Sequence, residues 1–84
     1  MESLLNVLFV EDSPDDMELT IIKFLEKGIH VKAERVECEK ELRRALKKKQ
    51  FDLVICDYLL PGFSGEQALE IITSTSPFMP VIVI

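Results

Sequence analysis

The chain has no tryptophan, a single histidine and no apolar run longer than five residues. Crossing a bilayer core takes about 20 consecutive apolar residues, so no segment is expected to span a membrane. No secretory leader is expected either. The stretch "MESLLNVLFVED" has neither a basic start nor a small-residue cleavage site. Basic charge is scarce: 10 Lys and Arg against 15 Asp and Glu leave a net charge of −5. Non-specific nucleic-acid binding relies on a basic face, so no direct nucleic-acid contact is expected. Cys38 and Cys56 show no metal-type spacing and read as reduced thiols of a cytoplasmic protein. There is no repeat, no low-complexity tract and no glycine-rich phosphate loop.

What is present fits one small domain over residues 1–84, 48% apolar and 30% charged with both signs mixed. "NVLFV", residues 6–10, is apolar without alternation, as expected of a strand covered on both faces. A helix follows, with Ser13 as N-cap, Pro14 at its first position and Gly28 at its stop. Met17, Ile21, Phe24 and Leu25 form its apolar stripe. "VKAER", residues 31–35, alternates apolar and charged side chains and suits a sheet edge.

The next segment, "ECEKELRRALKKKQ", places Leu42, Ala45 and Leu46 at helical spacing, with acids first and Lys47–Lys49 last. That order complements the helix macrodipole, and Glu39 can pair with Arg43 one turn on. The basic triplet reads as a solvated helix end rather than a phosphate patch. Residues 53–56 form a third strand, and Ser64 with Gln67 fits a capping box opening a third helix. "VIVI", residues 81–84, is the fourth core strand. The order β-α-β-α-β-α-β predicts an α/β fold, a parallel sheet with helices on both faces.

Two of these strands end in acid: the first in Glu11 and Asp12, the third in Asp57. Neighbouring strands would bring three carboxylates to one end of the sheet, where ligands sit in such folds. Like charges that close raise one another's pKa values. A hard cation such as Mg²⁺ removes the conflict, since it takes carboxylate oxygens and keeps several waters. The alternative is that each acid serves its own turn: Asp12 capping the helix after it, Asp57 opening "DYLLPG".

Taken together, "FVEDSPDD" and "DYLLPGFSG" resemble the response-regulator receiver domain of two-component signalling. The second stretch is close to that family's D-x-x-M-P-x-x-D/S-G pattern, with Leu60 in place of the usual methionine. The likeness covers the chain in order. It implies a flavodoxin-like, doubly wound sheet of strand order 2-1-3-4, a topology taken from the family rather than derived. It also implies that Asp57 is the phosphoacceptor in a phosphorelay, with a histidine kinase or phosphotransfer protein as partner. Mg²⁺ would be held by Glu11, Asp12, Asp57 and the main-chain carbonyl of Leu59. No turnover enzyme is implied, only the domain's own phosphorylation.

In the family a Ser or Thr follows the fourth strand and a fifth strand delivers a lysine; residues 1–84 contain no counterpart of either. The expectation is a receiver truncated at its C-terminal side, with "VIVI" as an unguarded edge that favours a homo-oligomer or swapped dimer. A non-phosphorylated interaction module is the competing reading. Cys56 is expected to be a buried structural thiol, Cys38 the more reactive one, and His30 a surface residue.

Overall fold

A computed structural model describes residues 3–62 and 64–84. Met1, Glu2 and Phe63, which fall in the N-terminal and acceptor-loop stretches quoted above, lie outside the described residues. The elements alternate as β1 (Ser3–Val10), α1 (Pro14–Glu26), β2 (Ile29–Val36), α2 (Glu39–Lys48), β3 (Leu53–Cys56), α3 (Gly65–Thr75) and β4 (Val81–Val83). The four strands are parallel, in the order β2-β1-β3-β4. This is the doubly wound topology that the resemblance implied.

Successive residues of a strand face opposite sides of a sheet, and here both sides are covered. Val7, Phe9 and Ile55 pack on one side with Met17, Ile21 and Phe24 of α1. Leu8, Val10, Val54 and Cys56 pack on the other with Leu42, Ala45 and Leu46 of α2 and Ala68, Ile71 and Ile72 of α3. An unalternating apolar run is what this arrangement requires of β1 and β3.

The helix ends follow the sequence signals. Ser13 Oγ accepts the Asp16 N–H at 3.2 Å, and Gly28 ends the α1 region at φ +79°, a left-handed conformation that favours glycine. Ser64 and Gln67 make the reciprocal capping box of α3. Cys38 stands at the N-cap of α2 without a side-chain cap hydrogen bond. Glu39 and Arg43 pair at 2.9 Å, and Lys49 reaches Glu34 of β2 at 3.0 Å.

Three details differ from the sequence reading. β1 and β2 are longer, because pairing runs from Ser3↔Ile29 to Val10↔Val36 and takes in residues 3–5 of one strand and Ile29, His30 and Val36 of the other. Leu25 is 51% exposed, since one residue beyond Phe24 the helix has turned by about 100° and faces away from the sheet. β4 lies at the expected edge of the sheet, but its side chains are not core: Ile82 and Val83 remain 47% and 43% exposed.

These burials predict an asymmetric response to truncation. Leu42→Ala, at a fully buried site, is expected to destabilise the domain by about 3 kcal/mol in urea denaturation. Leu19→Ala, on the exposed side of α1, should stay within about 0.5 kcal/mol. Equal losses in the two variants would contradict the assigned packing.

Candidate functional site

The register of the central strand pair builds the site. Val10 lies beside Cys56 in the β1–β3 ladder, so the residues that follow, Glu11 and Asp57, emerge together from one end of the sheet. Asp57 N–H donates to the Val10 carbonyl at 2.9 Å, and Glu11 N–H donates to the Val36 carbonyl at 3.0 Å. Both acids are therefore fixed by main-chain bonds to neighbouring strands. Carboxylate oxygens of Glu11, Asp12 and Asp57 all lie within 4.8 Å of one another. The three site acids named from the sequence meet at a shared rim.

Their surroundings are unequal. Glu11 is 6% exposed, Asp57 is half-buried and Asp12 is exposed. Ser13, not Asp12, caps α1, which removes that separate duty for Asp12. The turn reading of Asp57 holds in part, because its Oδ1 accepts the Leu59 N–H at 3.0 Å as an Asx-type turn does. Leu59, the fourth residue named, thus sits two positions beyond Asp57 in the same loop.

Burial, chiefly, pushes the Glu11 carboxyl up to about 7, and the negative charge of Asp57 adds to the effect. A Ser13 N–H donating to Glu11 Oε2 at 3.3 Å pulls the other way. Among the described residues no ion pair reaches the three acids. Arg35 donates to the Glu11 main-chain carbonyl at 3.2 Å and to Glu37 at 2.7 Å. The donor set consists of hard carboxylate oxygens with no neutralising partner. Such a set fits Mg²⁺ by ligand type and charge.

Cys56 faces away from this rim into the α2–α3 side of the core. Burial first, then the charges of Asp57 and Glu11, push its thiol up to about 11, so it stays protonated and inert at neutral pH. Two contacts escaped the sequence reading. One is Arg35 bracing Glu11. The other is Tyr58, whose phenol donates to Glu66 Oε1 at 3.1 Å. Glu66 raises the Tyr58 pKa through that bond. Arg35 and Glu66 lie outside the quoted motifs, and Tyr58 occupies an unspecified position of the second one.

The Glu11 shift has a signed consequence. Between about 4.5 and about 7 the folded Glu11 keeps a proton that the unfolded chain releases. With divalent cations chelated, Glu11 therefore lowers stability progressively as pH rises through that window, and the full penalty stands above it. Thermal midpoints across the window, compared between the natural chain and Glu11→Gln, check this. The natural chain should lose ground relative to the variant as pH rises; a gain would refute the assignment.

Comparison with known proteins agrees with this architecture. The family described as the response regulator receiver domain matches residues 7–84. Comparison with curated proteins gave no match. The MaeR response regulator bound to beryllium trifluoride aligns with a TM-score of 0.79 at 23% identity, over 95% of this chain and 66% of that one. The receiver domain of a sensor histidine kinase from Pseudomonas aeruginosa PAO1, with a magnesium ion coordinated in its active site cleft, gives 0.77 at 20% identity, over 96% and 66%. A chain from the structure of the histidine kinase ThkA in complex with the response regulator protein TrrA gives 0.70 at 27% identity, over 94% and 66%. This chain spans about two thirds of the length of each. No helix among the described residues is long and apolar enough to cross a membrane. The chain belongs to the response regulator receiver domain family.

Proposed function

We propose that residues 1–84 act as one cytoplasmic receiver unit that takes a phosphoryl group onto Asp57. The donor is a phosphohistidine on a histidine kinase or phosphotransfer protein, and Mg²⁺ is the cofactor. The observation that carries this reading is the convergence of Glu11, Asp12 and Asp57 within 4.8 Å at the rim of the sheet. The magnesium in the Pseudomonas aeruginosa receiver and the kinase complex of TrrA support it by analogy.

In this reading Glu11, Asp12, Asp57 and the Leu59 carbonyl hold the cation. When bound, Mg²⁺ supplies positive charge that lets a carboxylate approach a phosphoryl group and orients an in-line transfer. The chain's own residues do the rest. Oδ1 of Asp57 holds the Leu59 N–H, so the other carboxylate oxygen is the nucleophile. It forms the new bond to phosphorus as the P–N bond to the donor imidazole breaks, and the imidazole nitrogen keeps the electron pair. The product is an aspartyl phosphate. Main-chain bonds from Asp57 to β1 and from Tyr58 to Ile84 keep the nucleophile in place without reorganisation.

Intact mass spectrometry after incubation with Mg²⁺ and a small acyl phosphate tests the reading. One added phosphoryl group is expected, absent in Asp57→Asn. No adduct, together with no Mg²⁺-dependent gain in thermal stability, would leave the interaction-module reading in its place.

Self-association belongs to the same proposal. The β2 edge exposes His30 and Lys32, whereas the β4 edge offers Ile82, Val83 and Ile84, each at least 43% exposed and uncharged. Charged edges discourage foreign pairing and bare ones invite it. Light scattering of the 84-residue chain at low micromolar concentration should show a dimer or larger species, shifted toward monomer by Ile82→Lys. A monodisperse monomer for the natural sequence would end this part of the proposal.

A further inference from the structure

The peptide between Tyr58 and Leu59 is held at both ends. Its N–H, on Leu59, donates to Asp57 Oδ1 at 3.0 Å. Its carbonyl, on Tyr58, accepts the Gly65 N–H at 3.1 Å, and Gly65 is the first residue of α3. One planar amide therefore joins the acceptor carboxylate to the first turn of a helix. There is little slack at the joint: a Cβ on Gly65 would lie 2.7 Å from Tyr58 Cα, so only glycine fits. Tyr58 is tied twice more, by its N–H to the Ile84 carbonyl at 2.9 Å and by its phenol to Glu66 Oε1 at 3.1 Å.

We propose that this amide plane is a mechanical link between the modification state of Asp57 and the N-terminus of α3, with Glu66, acting through Tyr58, a positioning residue for the acceptor. The functional half of the inference rests on the acceptor reading above. A hydrogen bond to an ionised carboxylate is roughly twice as strong as one to a neutral group. Bonding phosphorus to the other oxygen turns Oδ1 into a neutral acyl carbonyl, and its hold on the Leu59 N–H weakens. The amide plane is then held less firmly on its Leu59 side and can tilt about the bonds that remain. A tilt moves the Tyr58 carbonyl off line from the Gly65 N–H, which has no acceptor within its own helix. The Tyr58–Glu66 contact resists the tilt from the helix side and keeps the unmodified loop in its attacking posture.

Amide hydrogen exchange at Gly65, followed by NMR without metal or phosphodonor, tests the link by itself. Asp57→Ala removes the acceptor, and exchange at Gly65 should quicken by about threefold while Leu8 in the core is unchanged. Asp57→Asn retains an amide oxygen and should change it less. Identical Gly65 exchange in the natural chain and Asp57→Ala overturns the link. The positioning role is read from phosphorylation rates with Mg²⁺ and an acyl phosphate. Tyr58→Phe and Glu66→Leu should each slow the reaction by about threefold. Glu66→Gln, whose side-chain oxygen still accepts from the phenol, should restore it. Unaltered rates in the first two variants, or a Gln variant as slow as Leu, overturn that role. A natural chain that takes no phosphoryl group overturns the acceptor reading and the positioning role with it, while the exchange result still decides the link.

Discussion

The parallel pairing of β1 with β3 is the constraint on which the rest depends. It stacks Val10 beside Cys56 and so delivers Glu11 and Asp57 to the same rim. The same ladder that buries Val7, Phe9, Val54 and Ile55 places like charges side by side. Core packing and electrostatic conflict thus come from one set of hydrogen bonds. The conflict is tolerable because it is confined to the strand tips, where Asp12 is open to solvent and Asp57 partly so. Only Glu11 is buried, and that burial, with the charge of Asp57 adding to it, raises its proton affinity.

Around that rim the chain spends its polar groups on fixing the backbone. Ser13 caps α1 and also donates its N–H to Glu11. Arg35 braces the Glu11 carbonyl. Tyr58 bridges the end of β4 and the start of α3. The carboxylates themselves receive few partners from the protein. A backbone fixed by hydrogen bonds, with carboxylates that have no ion-pair partner among the described residues, is the arrangement on which the proposed cation site rests.

Much of this was legible in the sequence, and for identifiable reasons. Strand β3 read true because "LVIC" is buried on both faces and has no other role. The caps at Ser13 and Ser64 read true because they depend on residues one turn apart. The three acids were readable as strand-terminal residues, but their meeting required strand order, which came from family likeness. The extra length of β1 and β2 and the exposure of Leu25 were not readable. Each is set by which surface a neighbouring element happens to cover, and hydrophobicity alone does not encode that. The Arg35 contact was missed because it joins segments 24 residues apart, and the Glu66 contact because an aromatic and an acid eight residues apart across a loop follow no helical or strand spacing.

The unequal edges of the sheet give the molecule a direction. Any main chain that extends the sheet, from this molecule or another, meets charge on the β2 flank and an open ladder on the β4 flank. Tyr58 is already bonded to that flank through Ile84. A newcomer there would settle one strand away from Asp57, so that whatever lengthens the sheet on that side also becomes a neighbour of the acidic rim.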